Sequence, residues 1–133
     1  MSLYLGKKGE DFAAYHLEQI GYTIITRNYH SRYGEIDIIA QKDDILAFVE
    51  VKTRKSDEKY SPSEAVTYTK QKKINLTALA YITKIENENN CYNELQPRFD
   101  IVEVLSNQGR IYKVNHIEDA FEAIDFGGQY EIF

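Results

Sequence analysis

The sequence predicts a single α/β domain built around a mixed β-sheet. Two segments repeat apolar residues at helical spacing, a third has a cap-like start, and five segments of strand length complete the order α-β-β-β-α-β-β-α. The 133 residues fit one domain and suffice to bury a core without disulfides. We expect residues 1–125 to form this domain and residues 126–133 to be a flexible C-terminal tail.

The first half of the chain is predicted to form one helix and three strands. Apolar residues recur at helical spacing over residues 6–20, and Gly21 supplies a C-terminal stop. The three strands are predicted at residues 22–29, 35–41 and 45–52.

The second half is predicted to contain a long helix, a hairpin and a short helix. Residues 61–64, Ser-Pro-Ser-Glu, have the pattern of a capping box with proline at the first helical position, so a helix is expected from there to about Ile85. Residues 99–105 and 110–114 are the predicted strands of the hairpin. A second cap-like start predicts a short helix within residues 115–124.

Composition limits the classes of function. The net charge of −5 argues, taken alone, against a nucleic-acid partner. Residues 1–90, however, carry 13 basic and 13 acidic side chains, so the excess lies entirely in residues 91–133. Cys91 is the single cysteine, which excludes an internal disulfide and a cysteine-based metal site. The longest apolar run is too short for a membrane span, and the first residues lack a signal-peptide core, so we expect a cytoplasmic protein.

The hairpin of the second and third strands carries the strongest functional pattern. Glu50 and Lys52 are two residues apart, so they project from the same face of a strand. If Asp43-Asp44 forms a two-residue loop, paired residue numbers sum to 87 and Asp37 lies opposite Glu50; a three-residue loop would shift this pairing by one. Facing carboxylates among apolar residues repel and need compensation, from Lys52 or from a divalent metal.

These side chains allow two interpretations. With a divalent metal, they could hydrolyse a phosphodiester, because the metal polarises the phosphate and acidifies a water that Lys52 can orient or deprotonate. Alternatively, Asp37, Glu50 and Lys52 form an ion-paired patch on the solvated face of a sheet. The spacing of the residues does not separate the two.

The same residues resemble the motif of a nuclease superfamily. Asp37, followed by Glu50-Val51-Lys52 at the end of an apolar strand, resembles the PD-(D/E)XK superfamily, although Ile36 stands where the motif has proline. Further blocks over residues 4–122 resemble the bacterial YraN family of predicted endonucleases, which is similar in core pattern to archaeal Holliday-junction resolvases. These blocks are Gly6…Gly9-Glu10…Ala13, Gly21-Tyr22, Arg27-Asn28, Gly34-Glu35-Ile36-Asp37, Phe48 to Arg54, Lys70, Arg98-Phe99-Asp100 and Ala120-Phe121.

The resemblance implies a fold, an activity and partners. It implies a restriction-endonuclease-like three-layer fold, with a central mixed β-sheet flanked by helices. It implies a nucleic-acid-binding protein and an endonuclease dependent on Mg²⁺ or Mn²⁺, acting on phosphodiester bonds of branched or structured DNA. DNA is favoured over RNA as the partner, and the analogy with resolvases suggests a homodimer.

The resemblance also implies roles for individual residues. Asp37 and Glu50 would be metal ligands, with the backbone carbonyl of Val51 as a third contact, and Lys52 would position the attacking water. Glu10, on the first helix, would be an auxiliary metal ligand. Its alternative is a solvated glutamate stabilised by the positive N-terminal end of the helix dipole.

A basic region follows the Glu-X-Lys strand. Between Lys52 and Lys73 there are seven basic and three acidic side chains, which favours phosphate contacts, although a solvated loop and helix face would look the same. Lys70 interrupts an inward-facing stripe, so either the helix breaks near Thr69 or Lys70 points into the cleft. The candidate nucleic-acid contacts are Arg32, Arg54, Lys55, Lys70 and Lys73.

Two polar residues are candidates for supporting the site. Glu35 either supports the metal ligands or pairs with a basic residue for structural reasons, and Gln71 is a second supporting candidate. For the whole chain, two other functions stay open. One is a nucleic-acid-binding module without catalysis, and the other is a protein-interaction domain that uses the acidic residues 91–133. If nucleic acid is bound, we expect that acidic third to face away from it.

Overall fold

The computed structural model describes residues 3–55, 66–88 and 95–127, without the side chains of residues 3–6. Two helices and five strands follow one another in the order α-β-β-β-α-β-β. Their bounds are α1 Leu3–Gln19, β1 Thr23–Ser31, β2 Gly34–Lys42, β3 Ile45–Lys55, α2 Tyr68–Glu88, β4 Gln96–Asn107 and β5 Arg110–Phe121. Of the predicted domain and tail, residues 1–2, 56–65, 89–94 and 128–133 lie outside the described ranges.

The five strands form one mixed sheet in sequence order. β3 and β4 run parallel, and the three other neighbouring pairs are antiparallel, which confirms the predicted α/β class and mixed sheet. Lys42 pairs with Ile45 and Ile38 pairs with Val49, so the loop between β2 and β3 has two residues and the predicted register is correct. The ladder ends at Ile38, one residue after Asp37, which therefore lies where β2 and β3 diverge.

The core lies in two layers on opposite faces of the sheet. Ala13 and Leu17 of α1 pack on one face, and Ile74, Ala78 and Tyr81 of α2 pack on the other, as the helical spacing predicted. This helix-sheet-helix arrangement is consistent with a three-layer fold. The sheet residues under α1 include Ile38, Ala47, Val49, Val102 and Val104, and those under α2 include Ile36, Phe48, Phe99 and Ile101.

The predicted short helix at residues 115–124 is wrong. β5 continues to Phe121, which pairs with Phe99, and Ile117 pairs with Ile101. Sheet pairing and the burial of Ile117 and Phe121 against the α2 layer outweigh the local capping signal. The polar residues that suggested a cap instead accompany a bulge near Asp119, whose φ is 53°.

The second helix begins later than the sequence pattern indicates. Val66 and Thr67 are not helical, and α2 starts at Tyr68. The hydroxyl of Thr67 accepts a hydrogen bond from the backbone N–H of Lys70 at 3.2 Å, so Thr67 is the N-cap. The capping-box residues 61–64 lie outside the described part of the chain.

Candidate metal and nucleic-acid site

The shape of β2 aims Asp37 at the neighbouring strand. Ile36 packs under α2 and Ile38 under α1 although they are two residues apart, so the usual alternation of faces is broken at Asp37. On the adjacent strand β1, Asn28 has a φ of 55°, a conformation that asparagine adopts more readily than most residues. The Asp37 Oδ2 accepts a hydrogen bond from the backbone N–H of Val51 at 2.8 Å.

The surroundings of Asp37 raise the pKa of its carboxyl group. Burial raises its pKa, the Glu50 charge raises it further, and a smaller contribution comes from Glu10, so that the pKa reaches about 7. The Val51 N–H and the Lys70 ammonium offset only part of this effect. The raised pKa agrees with the repulsion between Asp37 and Glu50 that the hairpin register predicts.

Glu50 is buried and shared by two lysines. Its Oε1 lies 2.5 Å from the Lys70 Nζ and 3.8 Å from the Lys52 Nζ, and only 7% of its side chain is exposed. Burial lowers the pKa of Lys52, and the nearby Lys70 lowers it further. Burial also opposes the charge on Lys70, but the close Glu50 carboxylate outweighs it and raises the pKa of Lys70. The first turn of α2 thus points Lys70 into the site.

Glu10 faces the sheet and is not the solvated residue that one interpretation allowed. Its side chain is 17% exposed, and its Oε1 accepts hydrogen bonds from Asn28 Nδ2 at 2.9 Å and Arg27 Nη2 at 3.2 Å. Arg27 also pairs with Asp11 at 2.7 Å. Sequence reasoning missed Arg27 and Asn28 as supports of Glu10. The available signal was an asparagine within a strand otherwise rich in β-branched residues.

A metal ion at this site would depend on two carboxylates. No group of three or more His, Cys, Asp and Glu side chains within residues 3–55, 66–88 and 95–127 is arranged to hold a metal. Mg²⁺, however, commonly takes one or two carboxylates and completes its shell with waters and substrate phosphate. Asp37 and Glu50 fit that donor set, because burial and mutual repulsion disfavour charge on Asp37 unless a cation is present, and Glu50 already binds an ammonium cation.

The backbone of Val51 adds a donor on the same side. The N–H and C=O of one residue in an extended strand point to the same side, and the Val51 N–H points at Asp37. The Val51 carbonyl is therefore directed toward β2, the strand that carries Asp37. The residues that the motif implied as metal ligands thus occupy one place in the fold.

A basic groove adjoins the two carboxylates. It has a volume of about 340 Å³ and lies between the turn that joins β1 to β2 and the start of α2. Lys70 connects the groove to the carboxylate pair, because it lines the groove while its ammonium contacts Glu50. The other lining residues are Gly34, Glu35, Thr67, Thr69, Lys73 and Ile74.

Arg54 lies inside the fold rather than on the predicted binding surface. It forms an ion pair with Glu103 of β4, and the two side chains are 13% and 5% exposed. Asn115 of β5 donates a hydrogen bond to the same Glu103 at 3.1 Å. This geometry favours a structural role for Arg54, which links β3 to β4.

The other predicted residues are dispersed around the site. Arg32 stacks on the ring of Tyr33 at 4.9 Å, and Lys55 is exposed at the end of β3. The exposed Glu35 pairs with His30 at 3.3 Å, which matches its alternative as a structural partner. Gln71 donates to the Val66 carbonyl at 2.9 Å and so supports the chain entering α2. None of these three contacts involves Asp37 or Glu50.

A second cluster of charges is structural. Asp100, fully buried on β4, accepts hydrogen bonds from Arg98 at 2.7 Å, from the His116 ring at 2.7 Å and from the Asp119 N–H at 3.0 Å. Burial would raise the pKa of Asp100, but Arg98 and His116 outweigh it and lower the pKa. The Arg98 Nη2 also donates to the Tyr22 hydroxyl at 2.5 Å. These bonds join β4, β5 and Tyr22, the residue before β1.

Comparison with known proteins identifies the family. The model of a family described as "Uncharacterised protein family UPF0102" matches residues 9–104. The chain belongs to the UPF0102 family. This is the YraN family that the sequence motifs predicted. The matched range contains Glu10, Asp37, Glu50, Lys52 and Lys70.

UPF0102 relatives cover nearly the whole chain. The "UPF0102 protein" of Prosthecochloris aestuarii is 48% identical over 124 residues, which cover 90% of this chain and 94% of the relative. The "UPF0102 protein" of Rhodococcus opacus is 42% identical over 120 residues, covering 90% and 98%. That of Syntrophomonas wolfei is 42% identical over 121 residues, covering 91% and 100%. Neither described helix of this chain is long and apolar enough to span a membrane.

Proposed function

We propose that this UPF0102 protein is a nucleic-acid-binding, metal-dependent endonuclease with a PD-(D/E)XK site on a restriction-endonuclease-like fold. One observation carries the proposal. The Asp37 Oδ2 accepts a hydrogen bond from the Val51 N–H at 2.8 Å, the Glu50 charge raises the pKa of Asp37, and the Lys52 Nζ lies 3.8 Å from the Glu50 Oε1. A purely structural ion pair between Glu50 and a lysine would not require a second carboxyl group, that of Asp37, to be held beside it with a raised pKa.

Asp37, Glu50 and the Val51 carbonyl would hold Mg²⁺ or Mn²⁺. When bound, such an ion polarises the scissile phosphate and acidifies a nearby water. Glu10 lies close enough to raise the pKa of Asp37, and it contributes negative charge to the same place. It is therefore a candidate auxiliary ligand through the shell of waters.

Lys52 is the residue that would position the attacking water. Burial and the neighbouring Lys70 lower its pKa, so its side chain releases a proton more readily than a solvated lysine. Lys52 and Glu50 both belong to β3, so the strand holds their side chains on the same face. A rigid strand is a precise support for a group that must meet a phosphate.

The groove beside the carboxylates would receive the nucleic-acid backbone. Lys70 and Lys73 line it, and ammonium groups are suited to phosphate oxygens. DNA with a branched or flapped structure is the proposed substrate, a homodimer the proposed assembly and the cytoplasm the proposed location, each by analogy with the superfamily.

A cleavage assay tests the proposed activity. Labelled duplex, flapped and four-way-junction DNA would be incubated with and without Mg²⁺ or Mn²⁺, using the unaltered protein, Lys52→Ala and, as control, Lys84→Ala on the far, exposed end of α2. We expect metal-dependent cleavage that falls by about 100-fold or more in Lys52→Ala and is unchanged in Lys84→Ala. Absence of cleavage on every substrate, or full activity in Lys52→Ala, would contradict the proposal.

One observation favours a second candidate function. Lys70 already neutralises Glu50, and the described residues include no third carboxylate arranged with Asp37 and Glu50 to hold a metal. This would suit a module that binds nucleic acid without cleaving it. Such a module predicts salt-sensitive binding that is unchanged when EDTA removes divalent ions.

A further inference from the structure

Lys70 and a divalent metal would compete for the same buried carboxylate group, that of Glu50. The Lys70 Nζ lies 2.5 Å from Glu50 Oε1, whereas the Lys52 Nζ lies 3.8 Å from it. The Glu50 carboxylate is 7% exposed, so it has little other access to solvent or counter-ions. A cation that binds Glu50 must therefore share or replace the contact that Lys70 makes.

We propose that Lys70 is the resident counter-ion of Glu50 and is displaced from it when a divalent cation binds; this inference rests on the proposed metal site. The structure gives Lys70 room to leave. Its side chain is 42% exposed and stands in the first turn of α2, whereas Lys52 is 25% exposed and belongs to a central strand. The long, flexible stem of a lysine allows its ammonium to move without displacing the helix.

The displaced ammonium would enter the basic groove. Lys70 already lines that groove together with Lys73, Thr67 and Thr69. There it could contact a phosphate of the nucleic acid, which does not compete with the metal for Glu50. Lys70 would thereby couple metal binding to phosphate binding, and each ligand would strengthen the other to the same degree.

Titration of the nucleic-acid-free protein with Mn²⁺ in a calorimeter tests the displacement. The metal binds only the fraction of protein in which Lys70 has left Glu50, so the ion pair lowers the apparent affinity in proportion to that fraction. Lys70→Met should therefore bind Mn²⁺ about three- to tenfold more tightly than the unaltered protein. Lys70→Arg keeps a cation at this position and should bind Mn²⁺ no more tightly than the unaltered protein, because a guanidinium can hold a carboxylate at least as firmly as an ammonium.

Lys73→Met is the matched control. It removes the same charge from the same groove, one turn further along α2, without removing the contact to Glu50. We expect it to change Mn²⁺ affinity by less than about twofold, because Lys73 is exposed and salt screens the interaction of an exposed charge with the metal. Unfolding curves of all variants, recorded without metal, would show that each is folded.

The outcomes separate this inference from the proposed function. If Lys70→Met binds Mn²⁺ no more tightly than Lys73→Met, the displacement is wrong while the metal site stands. If the unaltered protein binds no Mn²⁺, or if Asp37→Asn binds it equally well, the proposed metal site is wrong and the displacement fails with it. Tighter Mn²⁺ binding by Lys70→Met, but not by Lys73→Met, supports both the metal site and the displacement.

Discussion

Asp37 makes the stability of the metal-free protein depend on pH. Its pKa is about 7 in the folded chain, because of burial and the neighbouring Glu50, and about 4 in an unfolded one. The folded state therefore binds more protons than the unfolded state between these values. The free energy of unfolding should fall as the pH rises from about 4 to about 7, and the loss should be complete above that range.

Asp37→Asn removes this charge and should stabilise the metal-free protein. At pH 8 we expect its free energy of unfolding to exceed that of the unaltered protein by about 2 to 4 kcal/mol, and at pH 4 the difference should vanish. Denaturant unfolding in EDTA at both pH values measures it. Glu18→Gln, on an exposed position of α1, should change stability by less than about 0.5 kcal/mol at either pH. Lower stability of Asp37→Asn at pH 8 would contradict the account.

At the residue level, the sequence could predict Asp37, Glu50 and Lys52 as one group, because strand alternation and a two-residue loop determine their relation. It could not predict which cation lies closest to Glu50. That contact depends on where α2 begins, and on how its first turn meets β3. The pairing of Arg54 with Glu103 was equally out of reach, since it joins residues far apart in the chain on neighbouring parallel strands.

Among the elements, the contact between α1 and β3 positions Glu10. Gly9 lies against Thr53, and a Cβ at Gly9 would stand 2.1 Å from the Thr53 Oγ1 and 3.2 Å from its Cβ. Only glycine allows this approach. Glu10 follows directly, so the close packing brings its carboxylate to the sheet, where Asn28 holds it.

Gly9→Ala should force α1 away from β3. Overpacking costs about 1 to 3 kcal/mol, and the better helix propensity of alanine returns about 1 kcal/mol, so we expect a net destabilisation of about 1 to 2 kcal/mol. Chemical denaturation of Gly9→Ala, Thr53→Ala and the double variant measures the coupling between the two positions. Because the clash needs both side chains, the double variant should be more stable than the sum of the two single changes predicts. Strict additivity would show that Gly9 and Thr53 do not constrain each other.

Element boundaries show where local patterns are insufficient. The hairpin of β2 and β3 was predictable because apolar alternation and turn residues agree there. The end of β5 was not, because its capping signal is local while its pairing with β4 is made by residues such as Ile101 and Phe99 much earlier in the chain. The start of α2 was also misplaced, because the capping pattern of residues 61–64 precedes Thr67, the residue that caps the helix.

For the whole molecule, the net charge is a poor guide to partners. All of the excess negative charge belongs to residues 91–133, and two of those carboxylates, Asp100 and Glu103, are buried in ion pairs. The carboxylate pair stands at β2 and β3, whereas the exposed Glu118 belongs to β5 at the edge of the sheet. The overall charge of −5 therefore does not describe the surface around the groove.

Nucleic-acid binding should follow the local charge of the groove. We expect Lys73→Met to weaken binding to DNA several-fold and to reduce the slope of log affinity against log salt by about one. Replacing Glu118 and Glu122 together by glutamine should change the affinity by less than about twofold at 0.15 M salt, because their distance from the groove allows screening. Fluorescence anisotropy at several salt concentrations measures both effects. A larger response to the acidic pair than to Lys73 would place the binding surface elsewhere.

Anomalous scattering shows whether Asp37 and Glu50 share a metal ion. Crystals of the protein soaked in Mn²⁺ would be measured for anomalous scattering. We expect a peak bound by carboxylate oxygens of Asp37 and Glu50 at about 2.1 Å, with the Lys70 ammonium no longer in contact with Glu50. A map with no peak at these carboxylates, in which Lys70 still contacts Glu50, would contradict this expectation.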